Sequence, residues 1–158
     1  SYPDWSFGLI GSSRLGDNSV NNFAKEVIMK FKDVGDQAKF YGFKDQAFVH
    51  KKMKTASIIV IPSLWQEPFG LVAAEAMSNG MAIIASKVGG ITEIVQGNGI
   101  LINNINHSKI KENLIELIDN KNKRIEFQKK AWSNFCFDSK KSSKKLDSHR
   151  NTTIKQFF

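Results

Sequence analysis

Pro62-Ser63-Leu64-Trp65-Gln66-Glu67-Pro68-Phe69-Gly70-Leu71-Val72-Ala73-Ala74-Glu75-Ala76 is the stretch that decides the fold. The apolar run before it, Ile58-Ile59-Val60-Ile61, reads as a buried strand of a parallel sheet. After it, Leu71 to Ser78 follows a helical pattern that Asn79-Gly80 stops. Pro68 and Gly70 therefore sit at a strand-to-helix junction. Open α/β sheets bind ligands beyond the carboxyl ends of their strands. The unpaired N–H groups of a helix that starts there favour an anion. Glu67 and Glu75, eight positions apart, bracket that place.

Outward from this stretch, strand-like and helix-like runs alternate, the pattern of a parallel sheet built from βαβ units. Strands are expected at Phe7–Ser12, Lys39–Tyr41, Ile58–Ile61, Met81–Ala85 and Gly99–Ile102. Helices are expected at Asn18–Val34, Gln46–Thr55, Leu71–Ser78 and Thr92–Val95. After the last strand the pattern is purely helical, over His107–Asp119, Lys121–Phe135 and roughly residues 141–157. The fold class is α/β, a doubly wound, Rossmann-like parallel sheet with extra C-terminal helices, and Phe7–Ser12 and Ile58–Ile61 are expected near its centre. The one plausible hinge lies at residues 138–143. It divides the chain into a main domain, 1–138, and a last helix, 139–158, with Leu146, Ile154, Phe157 and Phe158 on its apolar face.

The 158 residues suit one domain, able to bury roughly 70% of its unfolded surface. The chain has no initiator Met and runs almost at once into a strand, which reads as a fragment of a longer protein. Its lone cysteine, Cys136, excludes an internal disulfide and is compatible with a cytoplasmic location. No apolar run approaches the roughly 20 residues of a membrane span. The net charge of +8 is placed entirely from Lys121 onward, where 11 basic residues face 3 acidic ones. The first reading is a solvated lysine face. The second is a peripheral contact of the basic C-terminal helices with anionic membrane, at its inner face. Nucleic acid is excluded, because the aromatic residues of this region follow helical spacing and belong to a core.

The central stretch resembles the signature of the family-4 retaining glycosyltransferases, an E-x7-E pattern whose first Glu opens an E-P-F-G turn. The likeness continues through Ile83-Ile84-Ala85-Ser86-Lys87-Val88-Gly89-Gly90-Ile91-Thr92-Glu93-Ile94-Val95 and Asn98-Gly99-Ile100-Leu101-Ile102, and upstream through Phe40-Tyr41-Gly42-Phe43. It is strongest from about Ala38 to Ile102. Members of this family have the two-lobed GT-B architecture and are longer than this chain. The resemblance thus covers the C-terminal, donor-binding lobe alone, and 139–158 resembles the helix that closes back onto the N-terminal lobe. It implies a lobe that binds a nucleotide-diphosphate sugar such as a UDP- or GDP-sugar. The acceptor would be held by the absent N-terminal lobe, and the fragment would transfer nothing alone.

The resemblance also implies roles. Glu75 would accept hydrogen bonds from the ribose 2′ and 3′ hydroxyls, one per carboxylate oxygen; its plain alternative is an exposed helix glutamate. Glu67 would lie beside the donor sugar as the catalytic carboxylate, stabilising positive charge on the ring without becoming a covalent nucleophile; its alternative is a strand-end residue capping the following turn. Phe69, Gly70 and Leu71 would offer backbone N–H groups to the distal phosphate and sugar, Gly70 without a Cβ to block the approach. Gly42 and Phe43 would line the nucleobase slot, or serve as a turn and core. The Gly89-Gly90 pair reads as a tight turn before a short helix, with Glu93 serving that helix's N-terminus. His50 reads as solvent-exposed beside Lys51-Lys52.

The first turn departs from the family pattern. It reads Gly11-Ser12-Ser13-Arg14-Leu15-Gly16-Asp17-Asn18, with Arg14 as its one basic residue and no counterpart of the family's lysine. Gly11, Ser12 and a helix start capped by Asp17 or Asn18 still suit a phosphate nest, and Arg14 is either a diphosphate ligand or a surface residue. No D-x-D motif is present, so no metal or other cofactor is expected, the positive helix end standing in its place. Two other readings remain. One is a non-catalytic sugar-nucleotide-binding module, supported by the altered first turn. The other is a GT-B-type sugar-nucleotide epimerase lobe, disfavoured because that class lacks the E-P-F-G…E-A-M run.

Overall fold

The computed structural model describes residues 2–11, 22–136 and 147–148, apart from the side chain of Phe23. The chain forms two compact units, Ser1–Lys52 and Met53–Phe158. The expected last helix falls outside the described residues except for 147–148, which are helical and exposed.

In the first unit, β1 (Phe7–Ile10) pairs in parallel with β2 (Ala38–Gly42), joined through α1 (Asn22–Val34). Phe31 on α1 stacks on Phe7 and meets Phe40 edge-on, with ring centroids 5.2 and 6.5 Å away. These aromatic contacts hold the helix to the two strands. Helix α2 (Gln46–Met53) starts where the Asp45 carboxylate accepts the Phe48 N–H at 2.8 Å. Its Phe48 meets Tyr41 edge-on at 5.3 Å, and the Lys52 ammonium lies 4.7 Å from the Tyr41 ring centroid. His50, on the same helix, is half-buried, where the sequence suggested exposure.

The second unit holds a parallel sheet in the order β3 (Ile58–Ile61), β4 (Ala82–Ser86), β5 (Ile100–Ile102). Its central strand is β4, not Ile58–Ile61 as expected. Strands flank β4 on both sides and helices cover both of its faces, so every residue in it is buried, while Ile58, Ile59 and Val60 are half-buried. That explains a run without alternation, Ala82-Ile83-Ile84-Ala85. On one face Ala82, Ile84, Ile102 and Leu117 form the core, with Ile58, Val60, Leu114 and Phe127 packed around them. Leu114 and Leu117 come from α5 (His107–Asp119), and Phe127 from α6 (Lys121–Ser133). On the other face lie α3 (Leu71–Ser78) and α4 (Gly89–Val95), which contact each other and β4. The doubly wound α/β reading is thus what the second unit shows.

The helix boundaries follow from asparagine caps. Asn106 accepts the Lys109 N–H at 3.0 Å and Asn120 accepts the Lys123 N–H at 2.9 Å. The buried Asn98 side chain spans elements: its amide donates to Ile94 O at 3.1 Å and its oxygen accepts from the Asn134 amide at 2.7 Å. Among the described residues no helix is long and apolar enough to cross a membrane. Leu117 has no exposed surface, so Leu117→Ala should cost about 2–5 kcal/mol, the range for truncating a buried leucine. A urea titration reads this directly, and a loss under about 0.5 kcal/mol would mean that α5 is not seated on the sheet.

Candidate functional site

Strand β3 ends at Ile61, and the loop that follows carries Ser63, Gln66 and Glu67 to the start of α3. Gly70 makes the junction. It is the N-cap of α3 with φ +86° and ψ +53°, left-handed values that favour glycine. A Cβ there would lie 2.9 Å from Ile91 Cγ1 on α4. The Gly70 carbonyl accepts the Ala73 and Ala74 N–H groups at 3.0 and 3.2 Å. No side chain caps this helix and its first turn holds no acidic residue. The positive end of α3 is therefore compensated by neither its cap nor its own first turn. Phe69 and Leu71, on either side of Gly70, are exposed.

Glu67 is half-buried, and its Oε1 accepts the Ser63 hydroxyl at 3.2 Å. One carboxylate oxygen is thus oriented by the protein. The Glu67 carbonyl accepts the Gly90 N–H at 2.7 Å, and the Gln66 Oε1 accepts the Gly89 N–H at 2.7 Å. Loop and helix approach so closely that a Cβ on Gly89 would lie 2.2 Å from the Glu67 carbonyl oxygen, and one on Gly90 2.6 Å from that of Phe69. Glu75 stands half-buried in α3, one helical turn beyond Leu71. Its carbonyl accepts the Ser78 hydroxyl at 2.7 Å and the Asn79 amide at 2.8 Å, which closes the C-terminal end of this short helix.

In the first unit the carboxyl ends of β1 and β2 meet at two glycines. The Gly11 N–H donates to the Gly42 carbonyl at 2.9 Å, with φ +145° at Gly11 and +67° at Gly42. Phe43 follows, 40% exposed. Two groups of expected site residues are therefore brought together separately: Gly11 and Gly42 in the first unit, and Glu67, Phe69, Gly70, Leu71 and Glu75 in the second. Ser12 and Arg14 lie outside the described residues.

Two expectations are corrected. Gly89 and Gly90 are not a turn before a helix but the first two residues of α4. Lacking Cβ atoms, they let the loop lie on the helix start and take its first N–H groups. Glu93 is consequently the fifth residue of α4, which has no acidic residue in its first turn. The sequence reading missed Ser63 and Gln66. The Gly-Gly pair signalled a close approach but not its partner, and nothing local marks a glutamine as the cap of a helix more than twenty residues away.

A family model described as glycosyl transferases group 1 matches residues 1–133. The chain belongs to this family. Spore coat protein SA of Bacillus subtilis is 31% identical over 141 residues, covering 85% of this chain and 37% of that protein. The C-terminal domain of the group 1 family protein LpcC from Francisella tularensis has the same fold. It aligns with a TM-score of 0.72 and 31% identity, over 84% of this chain and 68% of that one. HepE of Anabaena, solved in complex with UDP, aligns with a TM-score of 0.74 and 25% identity, over 92% of this chain and 42% of that one. The chain spans about a third of the length of the curated relatives it matches first. The resemblance carried by the E-x7-E stretch is borne out at the level of family and GT-B fold.

The contact between the loop and α4 predicts the behaviour of Gly89, whose φ is +45°. Gly89→Ala meets both the backbone penalty and the Glu67 carbonyl, and should cost about 2 kcal/mol or more. Gly97 is the control, since its φ of +78° is also left-handed but a Cβ there meets nothing within 4 Å. Chemical denaturation should rank Gly89→Ala well below Gly97→Ala. Equal losses would mean that backbone strain alone, not the loop contact, fixes Gly89.

Proposed function

We propose that this chain is the donor-binding lobe of a retaining glycosyltransferase that transfers a hexosyl-type group from a UDP- or GDP-sugar. The acceptor would be bound by an N-terminal lobe outside this chain, without which the chain transfers nothing. The observation that carries this reading is the N-terminus of α3. Gly70 caps it without a side chain, and two half-buried carboxylates, Glu67 before it and Glu75 within it, lie on the same loop and helix. The UDP complex of the similar HepE protein supports a nucleotide donor.

The chemistry assigns the parts. As the glycosidic bond to the diphosphate breaks, the sugar ring gains positive charge and the leaving diphosphate negative charge. Backbone N–H groups at the start of α3, around Phe69 to Leu71, stabilise the diphosphate, fixed dipoles aimed at developing charge being a strong catalytic lever. Glu67, one oxygen held by Ser63, keeps the other for the sugar and stabilises the ring. Glu75 binds the ribose diol. The family resemblance gives Gly11, Ser12 and Arg14 a role toward phosphate, and Gly42 and Phe43 one toward the base. The reading calls for no metal or other cofactor, since the helix end takes the role of a cation. A non-catalytic nucleotide-sugar module is the second reading, favoured by the absence of a lysine between Gly11 and Asn22. Release of UDP or GDP by the full-length protein in the presence of acceptor separates the two.

A thermal-shift panel of UDP, GDP and their sugar conjugates on this chain tests the donor site. Ligand at 100 times Kd should stabilise it by about 2.7 kcal/mol. Glu75→Ala should weaken bare nucleotide and conjugate alike by about 1–3 kcal/mol, the cost of deleting charged hydrogen bonds. Glu67→Ala should leave the bare nucleotide nearly untouched and weaken the conjugate. No shift with any nucleotide, or equal losses from both substitutions on bare nucleotide, would refute this division of roles.

A further inference from the structure

We propose that Gln66 is a positioning residue for Glu67, acting through the start of α4. The inference rests on the reading of Glu67 as the sugar-facing carboxylate and adds a residue that this reading leaves without a role.

The start of α4 lacks a cap of its own. Val88, its N-cap, offers no side-chain acceptor, and the first turn has no acidic residue. The loop supplies what is missing, from two adjacent residues. Gln66 takes the Gly89 N–H through its side chain and Glu67 takes the Gly90 N–H through its carbonyl, both at 2.7 Å. Glu67 is thereby held on both sides. Its carbonyl is fixed directly to α4, and the residue before it is fixed to the same helix start. These two bonds differ in kind. The Gly90 bond is backbone to backbone and survives most substitutions in the loop. The Gln66 bond depends on an acceptor at the end of a side chain of that length. Gln66 is thus the point at which side-chain chemistry sets how firmly the loop sits on α4. The loop in turn sets where the Glu67 carboxylate stands beside the start of α3.

The proposed role works through the bond to α4 and requires no contact between Gln66 and a ligand. Gln66→Met keeps the length and much of the apolar stem but removes the oxygen, so the Gly89 N–H turns to water and the loop loses that bond to α4. Gln66→Glu keeps an oxygen acceptor in place, and a carboxylate at a helix start is favourable. A role confined to stability would lower all binding together. A positioning role changes sugar recognition and spares the nucleotide.

The test uses the full 158-residue chain, with isothermal titration of UDP and UDP-glucose and amide hydrogen exchange at Gly90. Gln66→Met should raise the Kd for UDP-glucose roughly three- to tenfold, a transition-state-free measure of a displaced hydrogen-bonding group of modest net worth. The Kd for UDP should stay within about twofold, Gly90 exchange should quicken at least about threefold, and Gln66→Glu should restore all three to wild-type behaviour. Equal weakening of UDP and UDP-glucose, or Gly90 exchange unchanged by Gln66→Met, overturns the proposal. Hydrogen exchange needs no ligand, so it decides the clasp even if the wild-type chain binds no UDP-glucose. That failure would count against the donor reading alone, as would Glu67→Ala leaving the ratio of the two affinities unchanged.

Discussion

The close backbone contact between the loop at Gln66–Gly70 and the first turn of α4 is the constraint from which the site's geometry follows. Two N–H groups that a helix start would otherwise present to water are taken by Gln66 and Glu67. Such a contact is possible only where no Cβ intervenes. At Gly89 a Cβ would fall 2.2 Å from the Glu67 carbonyl oxygen, and at Gly90 2.6 Å from that of Phe69. The contact is reciprocal, since Gly70 in the loop leaves room for Ile91 of α4. Three glycines on two segments thus allow one docking, and it places Glu67, Phe69 and Gly70 relative to α3.

That docking needs a rigid support, which the central strand provides. Strand β4 ends at Ser86, two residues before the cap of α4, and all of its residues are buried. Ser86 is itself buried and its hydroxyl reaches toward the Ile61 carbonyl, the last residue of β3, at 3.5 Å. The two segments that meet at the loop contact therefore depart from neighbouring strands held in register from Ile58–Ala82 to Ile61–Ala85. Displacing the loop from α4 would require parting elements anchored in the best-packed layer of the unit. Functional groups carried on rigid elements hold their geometry better than groups on free loops.

Much of this was legible in the sequence, for identifiable reasons. The strands Ile58–Ile61 and, read as Met81–Ala85, β4 announce themselves as uninterrupted apolar runs, and α3 as a short pattern stopped by Asn79-Gly80, because burial on both faces and chain reversal each demand particular residue types. The positions of Glu67 before α3 and Glu75 within it were legible from the strand-to-helix junction. What was not legible is contact across the chain. That β4 rather than β3 is central depends on which strands pair. That Gly89 and Gly90 belong to α4 depends on the loop supplying the cap, an arrangement with no local sign. That His50 is half-buried rather than exposed is likewise not written in its own segment. Propensity reads each segment against water, and these features were decided by another segment.

The same distinction explains why one helix start and not the other serves as the anion site in the proposed mechanism. Both α3 and α4 begin beyond the carboxyl ends of neighbouring strands, both contain glycine at their starts, and neither has a side-chain cap of its own. The difference lies in what faces them. The first N–H groups of α4 are already bonded to Gln66 and Glu67, so a phosphate there would have to displace two hydrogen bonds at 2.7 Å and would approach the Glu67 carbonyl, a poor neighbour for an anion. At α3 the cap is a glycine whose carbonyl turns inward to Ala73 and Ala74, and the first turn carries no acid. Using one helix start to hold the loop leaves the other for the proposed donor, and it sets Glu67 in the segment between them.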